Sequence, residues 1–281
     1  MRLIRMGRPG EERPGVLIGE DVVDLRGLFP KVSDINEDFF RQGWIERLAG
    51  VDLAAHARYS DERWGPPVAS PSKIICLGKN YEEHAKEGGF DAPTRPLIFC
   101  KTPNTLNGPF DPILLPQSSG QIDWEVELAV VIGKRGKRID RSQAMAYIAG
   151  VMVMNDVSGR EAQFSDSQWF RGKSFDTFAP MGPALVTLDE IGDPHNLRLT
   201  ARVNGQIMQD GHTRDLIFDL PSVIADISED ITLMPGDVIA TGTPAGVGIF
   251  RDPPIVLKEG DEVSCWIEKV GTLTNRVVRE I

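Results

Sequence analysis

With 281 residues, 41% hydrophobic and 26% charged, the chain is long enough for one large domain, or one large and one small, around a sizeable apolar core. Its 31 Lys+Arg against 41 Asp+Glu leave a formal charge of -10, which excludes the basic footprint of a nucleic-acid binder or of a protein attracted to an anionic membrane. Any anionic substrate must then be drawn by local cations or by a metal. Three cysteines, Cys76, Cys100 and Cys265, lie far apart and form no CxxC pair, so neither a disulfide framework nor a zinc knuckle is expected. The opening "MRLIRMGRPGEERPG" lacks the apolar stretch of a secretory signal, and nowhere do about 18 consecutive apolar residues occur. A cytoplasmic protein in a reducing compartment is expected.

In chain order, "GVLIGEDVVDL" predicts two short strands around a Gly-Glu-Asp turn, and "FFRQGWIERLAGVDLAAHARY" carries apolar residues at mixed helical spacing. The proline-rich "ERWGPPVASPSK" reads as a linker, because proline removes donors and fixes the chain. The expected division is a small N-terminal α+β domain over 1–70 and a larger domain over 71–281. The larger part is strand-rich: "KIICLG", "LAVVIG", "AGVMVMN", "LRLTARVNG", "DVIATGTP" and "EVSCWIE" are β-prone and bounded by turn residues. Helices are expected at "RSQAMAYIAG", with Ser142 near its start, and at "DLPSVIADISED". The pattern is α+β with a strand-dominated core, not a regular βαβ alternation.

The chemistry-bearing residues cluster in a few segments. In "IDWEVELAVVIG", Glu125 and Glu127 share one face of a strand roughly 7 Å apart, with Trp124, Val126 and Leu128 on the other. Two ionised carboxylates about 5 Å apart at an effective dielectric of 20 repel by roughly 3 kcal/mol, and burial increases that cost. A cation removes it. Asp156, at the end of the apolar run "AGVMVMN", can join them, and an all-oxygen set suits Mg²⁺, Mn²⁺ or Ca²⁺ better than zinc. By itself, however, Glu-x-Glu is the ordinary pattern of a solvent-facing strand.

His84 and Glu87 in "GKNYEEHAKEGGF" are three apart, hence neighbours on a helix, where the carboxylate would fix the imidazole tautomer and raise its basicity. A charged surface helix is the plain alternative. A helix starting at Asp156 would align it with Arg160 and Gln163; equally, Asp156 could cap that helix with Arg160 as an exposed partner. Lys173 stands between Phe170 and Phe175, an apolar setting for its ammonium if it is buried. "ATGTPAGVG" lacks the spacing of a phosphate or dinucleotide loop, but its amides and Thr243 could hold a small carboxylate.

Taken together and in order, "GKNYEEHAKE", "DWEVELAVVIGK", "AGVMVMNDVSGRE", "GKSFDTFAPMGP", "VNGQIMQDG" and "LMPGDVIATGTPAGVG" resemble the fumarylacetoacetate hydrolase family from about residue 71 onward. The resemblance implies a mixed β-roll or β-sandwich, usually dimeric, with Glu125, Glu127 and Asp156 as metal ligands and His84 with Glu87 as a catalytic dyad on a mobile lid. It implies that Arg160, Gln163 and Lys173 line the pocket and that Thr243 lies in the loop receiving the substrate carboxylate. The N-terminal unit resembles the extra domain of members that cleave 2,4-diketo-3-deoxy sugar acids; the C-terminal part also resembles a branch linked to oxaloacetate tautomerisation.

There are two departures. Gly159 stands where relatives often have alanine, and its freedom would loosen the turn that aims Arg160. No counterpart is found for a further metal-site aspartate of fumarylacetoacetase itself. The expected activity is Mg²⁺- or Mn²⁺-dependent hydrolysis of a carbon–carbon bond in a 2,4-diketo acid, with Lys173 stabilising the departing enolate. The alternatives are oxaloacetate decarboxylation or tautomerisation on the same site, and an inactive metal-binding module. The expected partners are a small keto acid and a second copy of the chain, with no nucleic acid and no membrane.

Overall fold

The computed structural model describes residues 1–280. Its centre is a mixed sheet in which nine strands follow the order Asp21–Asp24, Arg13–Ile18, Arg2–Met6, Ala179–Val186, Ile148–Asn155, Val126–Ile132, Val238–Ala240, Ile74–Gly78 and Leu97–Lys101. All neighbours on that path are antiparallel except Val238–Ala240 with Ile74–Gly78. A second sheet of five strands carries Gln206–His212, Arg198–Val203, Glu262–Ile267, Gly271–Arg279 and Ile113–Leu115.

The alternation of side chains along Val126–Ile132 explains why "LAVVIG" is apolar throughout. Val126, Leu128, Val130 and Ile132 enter one core with Leu199, Val263 and Leu273 of the smaller sheet, while Ala129 and Val131 enter another with Met152, Met154 and Val238. On that second face the short helices Glu37–Arg41 and Trp44–Ala49 lay down Phe39, Phe40, Trp44 and Leu48. The large sheet is thus covered on one side by the smaller sheet and on the other by N-terminal helices, the α+β sandwich expected of this strand-rich sequence.

The N-terminal strands do not form a sheet of their own. Arg2 and Leu3 pair with Val186 and Leu185, so the first three strands extend the central sheet. The proline-rich segment is packed rather than loose: Trp64–Gly65 pairs with Arg5 and Met6, and Val68 is buried.

"DLPSVIADISED" forms the helix Leu220–Ser228, capped by Asp219, whose carboxylate accepts from Ser222 N at 2.9 Å. "RSQAMAYIAG" instead gives a tighter 3₁₀ helix over Arg141–Tyr147, capped by Asp140, which accepts from both the amide and the hydroxyl of Ser142.

Candidate metal centre and active site

The strand register assembles the acidic group. Val126 lies opposite Asn155 and Glu127 opposite Met154, so Glu125 faces Asp156, whose amide donates to the Glu125 carbonyl at 2.9 Å. With period-two alternation, Glu125, Glu127 and Asp156 emerge on the same face, the one lined further along by Ala129, Val131 and Met154. Each offers an oxygen within 4.8 Å of the others, and all three are buried. They lie where the apolar lining stops, at the floor of a pocket that Glu125 and Glu127 line and that His84, Arg160, Gln163, Lys173 and Thr243 also reach. Sequence spacing alone left these residues in separate segments; the fold brings them to one place.

Buried cations surround the acids unevenly. Lys173 Nζ lies 2.8 Å from both Glu125 Oε2 and Asp156 Oδ2, and Arg160 Nη1 lies 2.8 Å from Glu125 Oε1. Lys101, which no motif singles out, is fully buried and bonds Asp156 Oδ1 at 2.6 Å and the Val157 carbonyl at 3.0 Å. Burial disfavours ionisation of Glu125, but Lys173, Arg160 and His84 outweigh it and bring its pKa down to about 2. Glu127 has only the Gly242 amide, at 2.8 Å, and among the described residues no cation bonds it. Its burial, reinforced by the negative charges of Asp156 and Glu125, therefore raises its pKa well above the usual carboxylate range. Four buried carboxylates, Asp123, Glu125, Glu127 and Asp156, face three buried cations, Lys101, Arg160 and Lys173, so with all four ionised one negative charge has no counter-charge, and it falls at Glu127. A hard divalent cation fits this oxygen set and this deficit.

Several expectations change in detail. No helix starts at Asp156: the chain stays extended through Ser158–Gly159, pairs with Ile122–Asp123, and turns helical only over Arg160–Phe164. Asp156 is not a cap, because two lysines occupy its oxygens, and Arg160 is buried rather than exposed. Arg160 and Gln163 do share a helix face, with Nη1 donating to Gln163 Oε1 at 2.9 Å. The aromatic ring beside the Lys173 ammonium is Phe99, at 5.0 Å, whereas Phe170 is half exposed. Gly159 has φ -89°, a value open to any residue, so the turn needs no glycine freedom; a Cβ there would instead stand 2.7 Å from the Phe175 ring.

Asp123 belongs to the site as well. One of its oxygens accepts from Arg160 Nε and Nη2 at 3.0 and 2.8 Å, the other from the amides of Trp124 and Gly248. It aims the guanidinium, and "IDWEVE" held the available signal: a third acid on the same alternation, two residues before Glu125.

The glycine-rich turn after Val238–Ala240 serves the protein's own acids. The amides of Gly242, Gly246 and Gly248 donate to Glu127, Glu87 and Asp123, at 2.8, 2.8 and 2.7 Å. Gly242 and Gly246 have φ of +101° and +107°, which only glycine adopts without strain. Thr243 reaches the pocket, but its hydroxyl donates to the Val126 carbonyl and accepts from Gln209 Nε2, so its donor is already engaged. His84 and Glu87 lie on the helix Glu82–Glu87 and share a 2.8 Å hydrogen bond between Nδ1 and Oε1, while the Gly246 amide fixes the other oxygen of Glu87.

The sequence model of the family "Fumarylacetoacetate (FAA) hydrolase C-terminal" matches residues 73–278. The chain belongs to that family. Among relatives of this fumarylacetoacetate hydrolase family member, a mitochondrial oxaloacetate tautomerase from Bos taurus is 44% identical over 99% of this chain and 92% of its own length. A 2,4-didehydro-3-deoxy-L-rhamnonate hydrolase from Sphingomonas sp. (strain SKA58) is 42% identical over 99% of this chain and 96% of its own length. Among solved structures, maleylpyruvate hydrolase from Sphingobium sp. SYK-6 in complex with manganese(II) ion and pyruvate superposes over the whole of both chains with a TM-score of 0.82 at 33% identity. That fold and the buried acidic group together mark a divalent-metal site in this chain.

Proposed function

We propose that this protein is a Mg²⁺- or Mn²⁺-dependent enzyme that hydrolyses a carbon–carbon bond in 2,4-diketo acids, with Glu125, Glu127 and Asp156 as the metal ligands and His84 with Glu87 as the water-activating dyad. The observation that carries the reading is the meeting of the dyad and the acidic floor in one pocket. A divalent cation held there supplies Lewis acidity toward the carboxylate and neighbouring 2-oxo group of a keto acid.

The chain's own residues do the rest. Glu87 holds Nδ1 of His84 and leaves Nε2 to take a proton from water, whose oxygen bonds to the 4-carbonyl carbon. The bond between carbons 3 and 4 then breaks. Its electron pair passes to the pyruvate half as an enolate near the Lys173 ammonium, and carbon 3 takes up a proton, leaving a carboxylic acid and a 2-keto acid. Arg160, aimed by Asp123, and Gln163 orient the substrate, with Thr243 shaping the floor. A homodimer in the cytoplasm belongs to the same reading.

A second reading is tautomerisation of oxaloacetate, favoured by the relatives of that name that align over nearly the whole chain. It needs the same enolate chemistry but no water. The ordered His84–Glu87 pair favours hydrolysis, and it argues against an inactive metal-binding module. Loss of diketone absorbance from acylpyruvates, with Mg²⁺ or Mn²⁺ and abolished by chelator, is the expected result. Acylpyruvates left intact while enol-oxaloacetate is consumed would install the second reading instead.

A further inference from the structure

In the candidate pocket every cation described so far is already committed. Arg160 is held by Asp123 and Glu125 and Lys173 by Glu125 and Asp156, while His84 spends its Nδ1 on Glu87. One further cation reaches the same pocket, Lys79. Among the described residues its ammonium makes no salt bridge and no hydrogen bond; it sits 3.7 Å from the centre of the Phe90 ring. An aromatic face holds a cation in place without neutralising it.

The placement of Lys79 is built into the fold. It follows the strand Ile74–Gly78 with φ +57°, a left-handed conformation that strains a non-glycine residue. Asn80 fixes the turn by donating to the carbonyls of Phe218 and Thr241 and accepting the Phe218 amide, all within 3.1 Å. Gly78 has no room for a side chain, since a Cβ would stand 2.4 Å from Trp169. Phe90 in turn packs on Phe250, ring centres 6.4 Å apart, and Phe250 on His84 at 6.1 Å. The rim that carries the lysine is therefore continuous with the catalytic dyad.

Charge pairing gives this cation a task. With the acidic floor holding a divalent ion and that ion taking the 2-keto acid's own carboxylate, Arg160 stays paired with Asp123 and Glu125, and Lys173 with Glu125 and Asp156. A further carboxylate at the far end of the substrate would then stand unpaired between aromatic walls unless Lys79 receives it. We infer that Lys79 is a specificity-determining residue that binds a second, distal carboxylate, so that the site takes dianionic 2-keto acids in preference to those with neutral or polyol tails. This rests on the 2-keto acid reading of the pocket and narrows it.

Matched pairs of 2-oxo acids isolate the distal group: oxaloacetate against 2-oxobutanoate, and 2-oxoglutarate against 2-oxopentanoate. In calorimetric titrations of the Mg²⁺-loaded protein, the dicarboxylic acid of at least one pair should bind about tenfold tighter than its partner, the worth of one charge-assisted contact. Lys79→Met and Lys79→Gln should each abolish that preference while leaving the monocarboxylic acid's affinity unchanged, and Lys79→Arg should keep it. Turnover of any dicarboxylic substrate should show the loss in KM, with kcat preserved. If wild type binds 2-oxo acids and the preference survives in Lys79→Met, or never existed, the assignment falls while the functional reading stands. If wild type with Mg²⁺ binds no 2-oxo acid at all, the functional reading falls and takes the assignment with it.

Discussion

Removing Asp123 tests how the buried charges support one another. Asp123→Ala leaves Arg160 without the carboxylate that receives two of its nitrogens, and breaking one side of a buried pair costs about 3 kcal/mol or more. The expected outcome is a lower urea midpoint together with a raised KM. A change in stability alone would show that Arg160 does not orient substrate.

The acids themselves make opposite predictions about pH. Glu125, held near 2 in the folded state, adds stability above its usual value near 4.5, and this is lost as pH falls toward 2. Glu127, raised, works the other way: without a metal the fold is destabilised as pH rises from about 4.5 through the raised value, because the folded site must then carry an uncompensated charge. A divalent cation removes that penalty, so the gain in Tm on adding Mg²⁺ should be larger at pH 8 than at pH 5.5. Metal binding should also release a proton, seen as a calorimetric heat that depends on the buffer's ionisation enthalpy. Equal Tm gains at both pH values would contradict the raised state of Glu127.

At the level of elements, the site hangs on three connections: an antiparallel register, a glycine turn and a short helix. The register places Asp156 beside Glu125 although 31 residues separate them in sequence, and it does so by pairing Val126 with Asn155. A one-residue slip would turn both glutamates into the opposite core. Gly159 marks where a small change meets a packed neighbour. Gly159→Ala should displace Phe175 and cost roughly 1–3 kcal/mol, read from thermal unfolding, with backbone geometry unchanged. Gly248 is stricter, since a Cβ there would lie 2.0 Å from the Ile255 carbonyl and 2.8 Å from Asp123. Gly248→Ala should therefore disturb the Arg160 clamp as well as stability, lowering kcat/KM where Gly159→Ala largely preserves it.

At the scale of the whole molecule, the N-terminal 70 residues and the rest share both a sheet and a core. Leu3 pairs with Leu185, and Phe39, Phe40 and Leu48 lie on the face that Met152, Met154 and Val238 present. A chain cut to 71–281 would expose that face and leave Ala179–Val186 without its neighbour at Leu3. It should be insoluble or lack a cooperative melt, whereas independent folding would support two separable domains. Cys76 and Cys265 are buried, and burial pushes both thiols up; Cys100 is exposed, so a thiol reagent should label Cys100 first in the native protein.

The sequence by itself determined the strand-rich α+β class, the existence of Glu125, Glu127, Asp156 and His84–Glu87 as candidates, and the acidic net charge, because alternation, spacing and charge are local or additive properties. The tertiary structure alone decided that Lys101 belongs with them, that Arg160 faces inward onto Asp123, and that the glycine turn binds the protein's own acids. Those facts depend on which distant strands pair and on what burial does to each charge. A buried lysine and an exposed one are spelled alike; only the environment that surrounds the ammonium tells them apart.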